Sequence, residues 1–549
     1  MIRILLALLL ASAADAKTLV VNANGYTIND TGALTRFTGL LIGDNGKLLA
    51  TLREGAAEPK LAAGDYRLDV KGKTIFPGLI DAHGHVMDVG FGLRQLDLTQ
   101  ATSLADAQGK ARAYAAANPA ARWIRGRGWN QVVWGVDRFP TALELDAAIA
   151  ERPAWLERVD AHAGWANSAA MKAAGITAKT RDPAGGRIIR DKLGNPTGVF
   201  IDSAMALIDK AAPPPTAGDS EEAFAAALQY FATLGLTGIH DMGTSPSDWA
   251  LYRAFGDMGR LSIRITAYAA GMPAMEQISP LRPTPWLYGD RLRLQGIKFY
   301  GDGALGSRGA WLLAPYSDEP TTRGLQFLDD TKQKNFFSRA NFLGYQVATH
   351  AIGDAANRQA LDSFAELRAT YGDKFRNRIE HAQVIAPADI PRFAELQIIA
   401  SIQPTHATSD KAMATARLGE GRLEGAYAWA SLRQAKARIA LGSDTPVEPA
   451  NPFFGLHAAV TRQDRNNQPP GGWRADQAMS LQQALKGFTA DAAFAGGAET
   501  RVGTLTEGRW ADFILLDRDP FGIPPADLPK VQVQETWLAG QRVYVRPQP

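Results

Sequence analysis

From about residue 74 to residue 441 the chain alternates short apolar, strand-like runs with helical patterns. Strands that alternate with helices indicate βα units and a parallel sheet, which restricts the fold to the α/β class. The candidate strands are 75–80, 153–159, 237–240, 294–299, 346–349, 378–380, 398–402 and 438–441. Eight such strands suit a distorted (β/α)8 barrel of the TIM type. One intervening helix is well marked. Asp219 is read as its cap with Glu222 as capping-box partner; Phe224, Leu228, Phe231 and Leu234 form its apolar stripe, and Gly235 ends it.

Both ends of the chain have a different texture. Residues 17–73 and 503–549 carry short alternating strands broken by turn residues, including the hairpin signal Asn45-Gly46. Neither end has enough strands for a stable sheet, so the two are expected to combine into one small β-sandwich domain. Within the barrel segment, 74–502, two insertions are expected. One, near 95–152, is rich in tryptophan (Trp123, Trp129, Trp134); the other, near 181–215, reads as a hairpin around Leu193-Gly-Asn-Pro followed by the stiff Pro213-Pro-Pro.

Residues 1–16 read as a signal peptide. Arg3 supplies the positive charge, 4–13 are apolar, and Ala14-Asp15-Ala16 fits a cleavage site, so the mature chain is expected to begin near Lys17 in the periplasm or outside the cell. That apolar stretch is too short to span a bilayer, and no later stretch is long and apolar enough either. A net charge of +3, with no basic stripe, gives no footprint for nucleic acid. The chain has no cysteine, which removes disulfides and thiolate ligands; a metal would have to be held by His, Asp, Glu or a modified Lys.

The chemistry gathers at the strand ends. His83 and His85 close the first apolar run, two apart, and so share one face of a strand. Only 8 histidines occur in the chain, so the pair does not follow from composition. Later strands end in Lys298, His350, His381 and Asp444. In a barrel these ends meet at one rim, where four imidazoles, a carboxylate and a lysine look like a metal site.

These motifs resemble the amidohydrolase superfamily, and most closely its family 3 (YtcJ-like) members. The residues that carry the likeness are Phe76-Pro-Gly-Leu-Ile-Asp-Ala-His-Gly-His85, Lys298 with Asp302-Gly-Ala-Leu-Gly-Ser-Arg308, His350-Ala-Ile-Gly-Asp354, Glu380-His-Ala-Gln383, Gln403-Pro-Thr-His406 and Gly442-Ser-Asp-Thr-Pro446. The resemblance implies a metal-dependent hydrolase of C–N bonds, acting on a small amide or cyclic amide and not on ordinary peptide backbone. It implies two zinc-type ions, one on His83, His85 and Asp444, the other on His350 and His381. It also implies a carbamate on Lys298 that bridges them, a bridging hydroxide as nucleophile, and Asp444 as acid/base. Each residue has a plainer alternative: Lys298 could pair with Asp302, Asp444 could cap a helix, and either later histidine could be a core residue. Asp81 and Glu380 are equally readable as groups that orient the imidazoles or as structural acceptors.

Further site candidates are His162 and His406, as donors to a developing oxyanion, and Arg308, Asn167, Trp129 and Gln403, as substrate contacts. Three other readings compete: a one-metal deaminase-like hydrolase, an ester or dipeptide hydrolase, and a non-catalytic periplasmic metal- or ligand-binding barrel. The segment His350-Ala-Ile-Gly-Asp354 lacks the Glu a deaminase would need, and the binding protein would have dispensed with Asp444. Barrels of this kind often pair as homodimers; the residues themselves do not indicate the oligomer.

Overall fold

The computed structural model describes residues 16–547 apart from Asp30, Val132, Asp160–His162 and Ala184–Gly185. The expected signal peptide lies almost wholly outside the described residues, as does His162. The chain forms two compact units, Val86–Ala227 and the remainder.

In the larger unit eight parallel strands form one sheet: β1 (Leu79–Gly84), β2 (Leu236–Thr244), β3 (Arg264–Ala270), β4 (Leu292–Tyr300), β5 (Gln346–Ala351), β6 (Arg378–His381), β7 (Ile399–Ile402) and β8 (Ile439–Leu441). They pair in sequence order. A parallel bridge, Gly84 to Thr445, joins the first to the last. Two hydrogen bonds reinforce this seam, Asp444 N–H to His83 O at 2.7 Å and His85 N–H to Thr445 O at 2.9 Å. This is the α/β barrel, and its closure places the residues after β8 directly beside those after β1.

The seam depends on a missing side chain. A Cβ on Gly442 would lie 2.5 Å from His83 N and 2.7 Å from Asp81 Oδ1. Asp81 is the pin of the closure: Oδ1 accepts from the N–H groups of His83 (3.1 Å) and Ser443 (2.9 Å), and Oδ2 accepts from the Ser443 hydroxyl. Gly442→Ala is therefore expected to destabilise the fold by about 1–3 kcal/mol, as overpacking against backbone does. Urea denaturation of the two proteins checks this; an unchanged midpoint would mean that the seam yields freely.

Strand membership differs from the sequence reading at two places. The run at 153–159 is a strand (Ala154–Arg158), but it lies in the other unit. The second barrel strand is Leu236–Thr244, and Arg264–Ala270, absent from the expected set, is the third. The count of eight holds because one strand was assigned to the wrong sheet and another was overlooked. The run at 75–80 also splits. Thr74–Pro77 pairs with Phe513–Leu516 in a sheet with 24–28, 34–37, 533–538 and 541–545, and the barrel begins at Leu79. That six-stranded sheet, drawn from both chain ends, packs on a four-stranded one. Val20, Leu40 and Leu48 of the smaller sheet share a core with Phe37, Ile75, Phe513 and Trp537 of the larger. The helix before β2 begins at Ala217, so its cap lies three residues earlier than expected. Its capping box is Thr216 with Asp219, Thr216 Oγ1 accepting from Asp219 N–H at 3.1 Å and Asp219 Oδ2 from Thr216 N–H at 2.9 Å.

The smaller unit, Val86–Ala227, contains both stretches expected as insertions. Its six-stranded sheet includes 124–129, 154–158, 163–166, 186–190 and 196–202. Trp129, Trp134 and Trp165 are buried in its own core.

Candidate active site

At the carboxyl ends of the barrel strands the structure brings His83, His85, Lys298, His350, His381, His406 and Asp444 together. Asp444 is the hub. Its Oδ1 lies 3.4 Å from His83 Nε2 and 3.3 Å from His85 Nε2, and its Oδ2 lies 3.5 Å from His406 Nε2. Burial alone would raise its pKa, but His85, His83, His381 and His406 around it hold the carboxyl well below the usual range. Asp444 and His381 both adopt left-handed backbone, φ 61° and 73°. A non-glycine residue is held there only when its surroundings over-determine it, and such strain gathers at functional sites. Here the seam hydrogen bond fixes Asp444, while β6 ends at His381.

Among the described residues, two groups of donor atoms could each hold a metal: His83, His85 and Asp444; and His381, His406 and Asp444. The imidazole and carboxylate chemistry suits a zinc-type ion. Among the described residues the buried His406 Nε2 has no hydrogen-bond partner, an orphan that a metal would satisfy. The expected pair, His350 and His381, stands beside this second group. The His350 ring centroid is 4.5 Å from that of His381, and His350 Nε2 lies 3.4 Å from Asp302 Oδ1 and 3.5 Å from Gly303 O. Burial and Lys298 push the pKa of His350 down to about 3, so the ring is neutral.

Lys298 is buried inside the barrel with its Nζ 3.3 Å from His83 Nε2. It faces Glu380 and Asp444, yet burial outweighs both and lowers its pKa to about 8. Its alternative partner Asp302 is otherwise engaged. The Asp302 carboxylate accepts from the N–H groups of Ile352 (3.0 Å), Gly353 (2.8 Å) and Trp311 (2.9 Å), which ties the loop after β4 to the end of β5. The Tyr300 ring, half exposed, lies 5.6 Å from the His350 ring and 5.1 Å from Lys298 Nζ.

Beneath the imidazoles runs a buried polar ladder. Glu380 Oε2 meets His83 Nδ1 at 2.6 Å. Arg378, two residues earlier and so on the same face of β6, grips both oxygens of Glu380. The same guanidinium donates to Ala82 O and Ser401 Oγ, both at 2.6 Å, and to His240 Nδ1 at 2.8 Å. Arginine only donates, so His240 accepts at Nδ1 and is neutral; burial and Arg378 hold its pKa well below the ordinary value. Burial would raise the pKa of Glu380, but Arg378 and His83 keep it well below, so the carboxylate stays ionised. It therefore accepts from His83 Nδ1–H and leaves the Nε2 lone pair facing Asp444. Between its two sequence readings, Glu380 takes the orienting one and Asp81 the structural one. Arg378 was not foreseen in this ladder.

The remaining candidates fall elsewhere. Gln403 accepts from His381 Nδ1 at 2.9 Å through Oε1, which gives it an imidazole-orienting position. Arg308 pairs with Asp318 at 3.0 Å, and Asp318 also pairs with Arg417. Asn167 is buried in the smaller unit. Its Oδ1 accepts from Ala154 and Ala170 N–H and its Nδ2 donates to Ile149 and Arg152 O, bonds that hold a helix start. Trp129 is also buried there, its indole N–H donating to Leu156 O at 2.7 Å.

The amidohydrolase family model matches residues 68–544. This chain belongs to the amidohydrolase family. The amidohydrolase is 34% identical to the YtcJ protein of Bacillus subtilis (strain 168), over 87% of this chain and 90% of that one. It is 27% identical to the N-substituted formamide deformylase of Arthrobacter pascens, over 96% of this chain and 98% of that one. Among solved structures it resembles an uncharacterized metal-dependent hydrolase from Pyrococcus horikoshii OT3, with TM-score 0.78, 28% identity, and coverage of 93% of this chain and 99% of that one. A metal-dependent hydrolase with an α/β barrel is thus established at the level of the family.

Proposed function

We propose that this amidohydrolase cleaves the C–N bond of a small amide or cyclic amide, with Asp444 as acid/base. The observation that carries this reading is the position of Asp444, which faces both groups of imidazole donors with separate oxygens. A divalent metal held there would polarise the substrate carbonyl and acidify a water molecule. The chain's own residues do the rest. Asp444, kept ionised by its imidazoles, receives the proton of the attacking water and hands it to the leaving nitrogen. His83, fixed by Glu380, presents Nε2 toward Asp444. In this reading His406 serves the donor group and not an oxyanion.

Lys298 fits a carbamate. As a free amine it would attack CO2, form an N–C bond and release one proton, leaving a carboxylate beside His83 Nε2. Its burial and lowered pKa favour the amine that this reaction needs. The formamide deformylase relative supports a C–N bond as the target and makes N-substituted formamides the first compounds to try.

The test is a panel of N-substituted formamides, cyclic amides, dipeptides and esters. Turnover of an amide, lost on chelation and restored by zinc or manganese, is expected. Turnover confined to esters or dipeptides, or unaffected by chelation, would overturn the reading. We also propose that 1–16 direct export. The secreted or periplasmic protein should then begin at Lys17 on N-terminal sequencing, and a retained Met1 would reject this.

A further inference from the structure

Buried polar atoms without a partner gather at the amino end of the barrel, away from the histidine cluster. Among the described residues, Trp286 Nε1, Arg291 Nε, Arg293 Nε and Gln295 Oε1 are buried on this one stretch of chain and make no hydrogen bond. Buried polar groups are otherwise paired, so these atoms need partners from outside the chain. Arg293 is at their centre. It follows Leu292 at the start of β4, five residues before Lys298, so roughly 16 Å of strand separates it from the histidine cluster.

The Arg293 charge is unmatched. Among the described residues it enters no ion pair, and the acids around it are taken. Arg376 holds both oxygens of Glu499, at 2.6 and 2.5 Å, and Arg501 Nε lies 3.2 Å from Asp290 Oδ2. Burial pushes the pKa of Arg293 down, as do Arg501 and Arg376, while Tyr268 and Glu499 act against them. The guanidinium also borders a gap. A Cβ on Gly497 would lie 3.3 Å from Arg293 Nη1 and 3.4 Å from Gln295 Nε2. Two donors thus converge on one point beside a residue without a side chain, whose φ of 68° favours glycine. The Trp286 ring lies 5.8 Å from the Arg293 guanidinium, and with Thr266 and Ala498 it lines a cleft alongside.

We propose that this cradle is an anion site, in which Arg293 and Gln295 bind a small oxyanion, a phosphate or a carboxylate, beside Gly497. The guanidinium supplies the charge and a planar fork that matches two oxygens, and Gln295 Nε2 adds a third donor. The bound anion offsets the charge that Arg293 leaves without a counter-ion. Two residues before Gly497, the carbonyl of Ala495 accepts from Gln346 Nε2 at 3.0 Å and from the Tyr268 hydroxyl at 3.3 Å, so the cradle adjoins the base of the buried polar ladder. The site stands independently of the hydrolase reading.

The test is calorimetric titration of the full-length protein, as purified, with sodium phosphate and separately with sodium formate in HEPES at low ionic strength. The wild type should bind at a site that Arg293→Met weakens by about tenfold or more and Gln295→Met by about threefold. Arg293→Lys, which keeps the charge and loses the fork, should fall between the wild type and Arg293→Met. Tighter phosphate would name a phosphoryl ligand, and tighter formate a carboxylate one. A metal centre also attracts oxyanions, so Arg293→Met is the deciding arm. No binding in the wild type, or equal binding in Arg293→Met, would overturn the proposal and leave water as the partner of these atoms. If that variant fails to fold, anomalous diffraction from a wild-type crystal soaked in selenate decides instead. A selenium peak within hydrogen-bond reach of Arg293 would support the site, and peaks only elsewhere would reject it.

Discussion

Asp444→Asn is expected to lower kcat on any amide the enzyme turns over by at least about a thousandfold, with the fold unchanged. Asparagine keeps the size of the side chain and tolerates the left-handed backbone observed at this position, φ 61°. The backbone N–H of residue 444 still reaches His83 O across the seam, so the barrel closes as before. The substitution removes the charge that faces His83, His85 and His406, and with it the proton acceptor. Steady-state kinetics together with a thermal melt separate the two effects. Activity within tenfold of the wild type, at an unchanged melting temperature, would exclude Asp444 as acid/base. No difference between the two proteins across a broad amide panel would favour a barrel that binds without turnover.

Lys298→Met is expected to cost about 100-fold or more in kcat and to reduce metal content, since it removes a buried amine in contact with His83 Nε2. Methionine fills a similar volume, so packing inside β4 changes little. Intact mass of the folded wild type should exceed the sequence mass by one CO2, and the variant should lack this increment. The direction of the pH effect follows from the lowered pKa of about 8. Below that pH the group is an ammonium and cannot capture CO2; above it the free amine dominates. Metal-free protein should therefore take up CO2 faster at pH 9 than at pH 6.5. A variant with full metal and full activity would make Lys298 an ordinary buried cation.

The strand-end residues were legible in the sequence because an apolar run that stops at a histidine or an aspartate has few uses other than a barrel rim. His83, His85, His381 and Asp444 come together in groups of donor atoms that could hold a metal. Which sheet a strand joins was less legible. The run Ala154–Arg158 has the apolar texture of a barrel strand but pairs with Ile124–Trp129 and Ala163–Ala166. Pairing is set by distant partners, whereas pattern is local. Arg264–Ala270 was missed for the opposite reason: it is a buried strand whose end carries no metal-binding side chain to attract notice. The supporting ladder was invisible for a third reason. Arg378 in isolation reads as a solvated charge, and only the assembled barrel shows that all three of its nitrogens are paired in the interior. The same limit applies to His406, whose place in a donor group depends on side-chain direction and not on order along the chain.

The most direct measurement is metal per chain, by elemental mass spectrometry, on full-length protein purified without chelator and then exposed to zinc. About two ions per chain are predicted, from the two donor groups that share Asp444. A content that stays near zero would contradict the metal centre, and the hydrolase mechanism would fall with it.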